Sequence, residues 1–405
     1  MKIINDKGIS HVKGYKAIGL YCGIKKNMYK DLCLIYSTRP AVAAATFTTN
    51  LVKAAPVLVD MQHIQSDNIQ ALIINSGNAN ACTGEAGFEN AVEMAKITSA
   101  QLGIRPYEVL VYSTGVIGVP LPMDKIKAGI TEAAQSLVSN GEDCAQEAIM
   151  TTDTYPKRIF AEVEIGGKTV SIAGIAKGSG MIHPNMATML SYVVTDANIT
   201  KEMLERIQKS SVDKTFNMIS VDGDTSTNDT ATIMANGAAE NPIIDCENED
   251  YMILKDAIHY VNETLAKMIV KDGEGATKLI EVIVTGARTE EDARKCAKSV
   301  ISSNLVKTAV FGSDANWGRV ICAMGYSGGQ FDPAKVDLSF SSFEDTIRVF
   351  SKGTPLPFDE DLAYKILCTD TITMNIELNE GGFSAKAWGC DLTYEYVRIN
   401  GDYRT

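Results

Sequence analysis

The stretch KGSGMIHPNMATML, Lys177 to Leu190, runs directly into SYVV, Ser191 to Val194. Its first part sets Gly178, Gly180, His183, Pro184 and Asn185 among methionines, a composition suited to a turn. Its last part is a short apolar run that reads as a buried strand. A single threonine, Thr188, stands near the junction.

Strands that start or stop at small polar residues recur on either side. ALIINS (Ala71 to Ser76) and EVLVYST (Glu108 to Thr114) read as strands, and FENAVEMAKITSAQLG (Phe88 to Gly103) between them has helical spacing. Ile126, Ile130, Ala133 and Leu137 form one apolar stripe, which predicts a helix over Asp124 to Val138. Leu254, Ile258, Val261, Leu265 and Met268 mark a second helix that stops at Lys271-Asp-Gly-Glu-Gly275, and KLIEVIVTG (Lys278 to Gly286) follows as a strand.

Thr289-Glu-Glu-Asp292 is a capping box for a helix running to about Ser302. VKTAVFG (Val306 to Gly312), KVDLSF (Lys335 to Phe340), TIRVF (Thr346 to Phe350) and ITMNIEL (Ile372 to Leu378) read as a closing series of strands. The mixture lacks a strict β-α-β rhythm, and the late strands suggest antiparallel pairing. The expected fold class is layered α+β.

The chain has 405 residues, enough for a sizeable core, and a formal net charge of -12 with no Lys/Arg run beyond a pair. Nucleic acid and anionic membranes, which need a basic face, are therefore not expected as partners. Nine cysteines are scattered singly, without C-x-x-C or Cys/His zinc spacing, so no metal site or disulfide framework is expected. No apolar run reaches membrane-spanning length, and the first residues, MKIINDKGISHVKGY, hold no secretory or import signal; a cytoplasmic location is expected.

Single motifs leave alternatives open. Gly178-Ser-Gly180 begins a phosphate loop but fails the full pattern at His183. Asp222-Gly-Asp-Thr-Ser-Thr-Asn-Asp229 resembles a calcium loop in composition only, lacking its sixth-position glycine and closing glutamate, and fits a turn whose side chains bond local backbone. Asn75-Ser-Gly-Asn-Ala-Asn80 and Ser113-Thr-Gly-Val-Ile-Gly118 are either ligand-facing strand ends or plain tight turns. Of the histidines, His11, His63 and His259 have no catalytic company in sequence, and His183 can be structural or assist chemistry.

Thr188 admits a specific chemistry. Attack of its hydroxyl on the Ala187 carbonyl would give an ester, and hydrolysis would leave Thr188 as a new N-terminus. A free α-amine with a pKa of about 7.7 to 8.0 can act as base for the hydroxyl of the same residue. Taken alone, any threonine after a glycine turn fits this description.

The surrounding blocks are more selective. KGSGMIHPNMATML resembles the autocleavage segment of the ornithine acetyltransferase family, the glutamate N-acetyltransferases of arginine biosynthesis. NSGNANACTG, YSTGVIG, MTTDTYPK, SVDGDTSTND, KDGEGATK, FGSDANWGR and EYVRINGDYRT resemble further family segments in the family's order. The resemblance implies a cut between Ala187 and Thr188, separating chains 1–187 and 188–405, an α₂β₂ assembly, and layered sheets between helices like those of self-processing amidohydrolases.

The same resemblance implies Thr188 as nucleophile, with an oxyanion hole from the Thr114 side chain and the Gly115 N–H. It places substrate contacts at Thr151, Lys177, Glu274, Asn400 and Thr405. Acetyl would pass from N-acetylornithine, and in many members also from acetyl-CoA, to glutamate, with no metal or dissociable cofactor. Alternatives are an enzyme confined to the ornithine reaction, a self-processing amidohydrolase or aminopeptidase, and a non-enzymic binding protein with a passive glycine turn.

Overall fold

The two runs read as strands at Ala71 and Glu108 are neighbours, paired in parallel, and the sheet around them is larger than local pattern foretells. The computed structural model describes residues 1–137, 142–183, 189–343 and 345–402. They divide into two compact units: Met1–Gly178, Pro184–Phe216 and Thr225–Leu265 in the first; Ser179–His183, Asn217–Asp224 and Ala266–Thr405 in the second.

In the first unit the strands are β1 (Lys2–Ile3), β2 (Tyr15–Leu20), β3 (Leu32–Phe47), β4 (Ile69–Asn78), β5 (Val109–Val116), β6 (Lys157–Ile165), β7 (Lys168–Lys177) and β8 (Leu190–Thr195). After a short β9 (Ile219–Ser220) that belongs to the second unit comes β10 (Thr230–Ala235). Among the described residues they order as β1-β6-β7-β8-β10-β3-β4-β5, with β2 also on β3. SYVV is buried in β8, as its apolar run requires.

The helices of this unit are α1 (Ala55–His63), α2 (Gly84–Leu102), α3 (Met123–Gln135), α4 (Glu142–Ala148), α5 (Lys201–Lys214) and α6 (Glu249–Lys271), the last reaching on into the second unit. Alternation along β3, β4 and β5 separates two cores. Leu34, Ala71, Ile73 and Val111 face Val59, Met94, Ile126 and Ile130 of α1 to α3. Cys33, Leu72, Ile74 and Tyr112 face Phe160, Ile175, Tyr192 and Met234 from the other limb of the sheet. Val261 and Leu265 of α6 lie over Gly174 of β7, so two β layers are enclosed between helices. The layered α+β expectation is met.

The second unit adds β11 (Leu279–Ala287), β12 (Asp337–Ser342), β13 (Asp345–Ser351), β14 (Thr354–Pro355), β15 (Thr371–Glu377) and β16 (Phe383–Cys390), ordered β14-β13-β12-β15-β11-β16-β9. Its helices are α7 (Glu290–Ser302), α8 (Asn304–Phe311), α9 (Trp317–Gly325), α10 (Glu360–Leu367) and α11 (Tyr394–Asp402). Thr289 caps α7 as its sequence predicts, its hydroxyl accepting from Asp292 N at 3.1 Å.

Several expectations need correction. Val306 to Phe311 lies in helix α8, with Gly312 as its C-cap, rather than in a strand: Ser303 accepts from Val306 N, and Val306, Ala309 and Val310 bury one helical face. The second sheet is mixed, since β11 runs parallel to β15 and β16 parallel to β9. α3 ends at Gln135, so Leu137 packs on the same core from beyond the helix, and Val138 lies outside the described residues. In the β6–β7 hairpin, β6 alternates over Ala161 to Ile165 with its apolar residues buried, whereas β7 is buried on both faces from Val170 on and shows no such alternation. Among the described residues no helix is long and apolar enough to cross a membrane.

Candidate active site

In the first unit, β5 and β7 deliver Thr114 and Lys177 at their C-terminal ends. Lys177 Nζ donates to Thr114 Oγ1 at 3.4 Å. Gly115 holds φ +133° opposite Gly77 of β4, where an added Cβ would overlap the Gly77 carbonyl carbon and Asn78 N. Only glycine combines that conformation with that approach. A hydroxyl and an ammonium thus meet beside an irregular stretch of the β4–β5 ladder.

Asp153 organises the neighbouring segments. Its Oδ1 accepts from Lys157 Nζ at 2.7 Å and from Gly178 N at 2.7 Å, and its Oδ2 accepts from Thr151 N at 2.9 Å. Thr151 and the residue after Lys177 are therefore tied to one buried carboxylate. Burial alone would raise this carboxyl, but the charges of Lys177 and Lys157 and the Gly178 N–H bring it down to about 2.

Lys25 enters the same neighbourhood from a loop shaped by Asp31, whose buried carboxylate accepts from the backbone N–H groups of Cys22, Gly23, Ile24 and Lys25. Its amine donates to Met150 O and Lys30 O, both at 2.7 Å, bracing the approach to Thr151. Burial, with Lys177 adding to it and Asp31 opposing, brings that amine down to about 8.

From Asn75 to Asn80 the chain continues β4 as far as Asn78 rather than turning at once, and its asparagine side chains bond nearby backbone. Asn75 Nδ2 donates to Asn78 O, Asn78 Nδ2 to Val119 O, and Asn80 Nδ2 to Gly87 O. Asn228, from the block first compared with a calcium loop, donates to Ala79 O at 2.6 Å and Ser113 O at 2.8 Å, fixing the ends of β4 and β5.

In the second unit, Glu274 and Asn400 come together: Asn400 Nδ2 donates to Glu274 Oε2 at 2.8 Å, and Glu274 N donates to Ser179 O at 2.9 Å. Gly180 lies against the Glu274 carboxylate, which a Cβ there would overlap. The next two amides, Met181 N and Ile182 N, donate to the carboxylate of Asp222 at 2.6 and 2.8 Å. Asp222 thus serves a distant segment as well as its own turn, where Asp224 N reaches it at 3.2 Å.

His183 Nδ1 lies 3.0 Å from Ser220 Oγ and 3.5 Å from Ser302 Oγ. Burial, together with the charge of Lys298, brings its pKa down to about 4, so the imidazole is neutral at physiological pH. His11, His63 and His259 have local structural partners in Gly8 N, Val109 O and Glu263. Ala187, Thr188 and Thr405 lie outside the described residues. Among the described residues no cluster of three or more His, Cys, Asp or Glu side chains is arranged to hold a metal ion.

The model of the ArgJ family matches residues 16–405 of the chain. The chain belongs to the ArgJ family. It is 59% identical over 405 residues to the arginine biosynthesis bifunctional protein ArgJ 1 of Clostridium acetobutylicum, covering 100% of this chain and 99% of that one. It is 54% identical to the ArgJ protein of Caldanaerobacter subterraneus subsp. tengcongensis, with 100% of both covered. The crystal structure of an ArgJ protein from Bacillus halodurans matches with 46% identity and a TM-score of 0.51, covering 53% of this chain and 100% of that chain.

For an ArgJ chain, the residues missed by sequence reasoning are Lys25, Asp31, Asp153 and Asn228. Of these, Asp153 and Asn228 lie inside blocks that carried the resemblance, but their partners come from remote segments that no spacing reveals.

Proposed function

We propose that this protein is an acetyltransferase of arginine biosynthesis that carries acetyl on Thr188. The observation that carries the reading is the pairing of Lys177 with Thr114 beside Gly115, in a chain whose relatives are named arginine biosynthesis bifunctional proteins. The first event is self-cleavage between Ala187 and Thr188. In its support, the solved Bacillus halodurans chain spans 53% of this one, about the length of a chain beginning at Thr188.

In the transfer reaction the Thr188 hydroxyl attacks the acetyl carbonyl of N-acetylornithine, and its proton passes through the free α-amine to the departing ornithine nitrogen. The carbon–nitrogen bond breaks and acetyl-Thr188 remains. The amine of glutamate then attacks the ester, the carbon–oxygen bond breaks, and the hydroxyl regains its proton. Thr114 and the Gly115 N–H stabilise the oxyanion in both steps. Lys177 meets a substrate carboxylate and Glu274 a substrate ammonium, with Thr151, Asn400 and Thr405 completing the contacts. Acetyl-CoA serves as a second donor to the same hydroxyl, and the cut chains assemble as α₂β₂.

Intact mass measurement is expected to show two chains, the second beginning at Thr188, and Thr188→Ala is expected to stay uncut and transfer no acetyl. A full-length single chain with normal transfer would overturn the mechanism. Release of acetate without N-acetylglutamate would indicate a hydrolase. Failure to make N-acetylglutamate from acetyl-CoA and glutamate would remove the second donor.

A further inference from the structure

Residues 179–183 and 217–224 are short excursions that the chain makes out of the first unit, and inside the second unit they bind each other. Val221 N donates to Ile182 O at 2.6 Å. The Asp222 carboxylate receives two successive amides, Oδ2 from Met181 N at 2.6 Å and Oδ1 from Ile182 N at 2.8 Å. His183 and Ser220 add a side-chain contact at 3.0 Å. Ser179 Oγ anchors the start of the excursion by donating to Asp272 O at 2.6 Å.

Met181 adopts φ +56°, a left-handed conformation unfavourable for a residue with a Cβ. That conformation helps bring consecutive N–H groups toward one carboxylate, forming a small anion-holding nest whose anion is supplied by the protein. Such charge-assisted bonds are among the stronger ones available to backbone amides.

We infer that Asp222 is a positioning residue for chain cutting: it fixes residues 181 and 182 ahead of the Ala187–Thr188 bond and, after the cut, holds them to the second chain. This rests on the reading that the chain cleaves itself before Thr188. Residues 181 and 182 fall in the first chain of the cut protein and Asp222 in the second, so the same bonds become contacts between chains. Anchoring the approach removes conformational freedom that an intramolecular attack would otherwise have to overcome.

The test follows Asp222→Asn precursor by intact mass beside wild type, with thermal midpoints measured on both. The asparagine amide turns a donor toward one of the two N–H groups and leaves it unmatched. The variant is expected to cut at least about tenfold more slowly, at a thermal midpoint close to that of wild type. Hydrogen exchange at residues 181 and 182, read in the uncut Thr188→Ala background, is expected to speed up when Asp222→Asn is added.

Cutting at the wild-type rate, or unchanged exchange at those amides, would overturn the role of Asp222. A wild-type chain that never cuts would instead sink the self-cleavage reading. Should Asp222→Asn fail to fold, Ser220→Ala removes the neighbouring His183 contact without touching the carboxylate. It is expected to slow cutting by about threefold, near the weight of one neutral hydrogen bond, and no change would count against the clamp.

Discussion

Thr114 and Asp153 show two ways in which one side chain acts on the first-unit cluster. Thr114 Oγ1 already accepts from Lys177 Nζ, which leaves its own hydrogen free to donate toward a developing oxyanion. Thr114→Val keeps the shape and removes that donor. The kcat for transfer from N-acetylornithine to glutamate is expected to fall about 100- to 1,000-fold, near 2.7 to 4 kcal/mol, with cleavage followed separately by mass. Asp153 acts by holding others. Its side chain and that of Lys157 are both fully buried, and its carboxylate gathers Thr151 N and Gly178 N as well. Asp153→Asn strips the counter-charge from a buried ammonium and is expected to cost about 3 to 5 kcal/mol in urea unfolding at neutral pH. The pH dependence has a definite sign. The carboxyl titrates at about 2 when folded against 3.8 as its ordinary value, so its stabilisation is complete above about pH 4 and is lost as pH falls through 4 toward 2. Wild type should lose about 2 kcal/mol across that window from this group, and the asparagine variant should lack that component.

Among the elements, what the sequence discloses depends on how locally each is determined. The α7 cap is local: Thr289 reaches Asp292 N three residues on, and the helix begins where its capping box predicts. α6 is equally plain, with Leu254, Ile258, Val261 and Leu265 buried at helical spacing, although Met268 is only half-buried and Ile269 and Val270 complete the buried face. VKTAVFG misleads because β-branched residues at 306 and 310 suit either period, and the buried Lys307 breaks the apolar stripe. Its amine donates to the carbonyl of Cys390 at the end of β16, a partner that only the folded second unit supplies. The candidate site divides likewise. Thr114 and Lys177, grouped by the resemblance of their blocks, do lie within reach of each other, whereas the small polar residues from Asn75 to Asn78 suggest a turn and instead extend β4. Asp222 was read as a local turn, whereas its main donors are 40 and 41 residues away.

At the scale of the molecule, the proposed cut falls between strands that are neighbours in one sheet. β7 ends at Lys177 and β8 begins at Leu190, and the two pair antiparallel with Lys177 opposite Leu190. Across the first unit's sheet, β8 and β10 follow position 188, while β1, β6 and β7 on one flank and β3, β4 and β5 on the other precede it. The second chain would therefore contribute the middle of a sheet whose two flanks belong to the first. Dissociation would expose the edge of β8 that faces β7 and the edge of β10 that faces β3, and open the core that holds Tyr192, Val194 and Met234 against Tyr112 and Phe160. The cut protein is thus expected to run as one particle in size-exclusion chromatography without denaturant, at any dilution that leaves it folded. Refolding should differ. After full unfolding in urea, the uncut Thr188→Ala chain brings β7 and β8 together across a short connection, whereas the cut protein must reunite separate chains at a cost in association entropy. Recovery of native circular dichroism on dilution is expected to be efficient and concentration-independent for Thr188→Ala. For the cut protein it should be poor at low concentration, improving as concentration rises. Equal recovery of both would mean that the first unit's sheet forms without the covalent link, against the order of its strands.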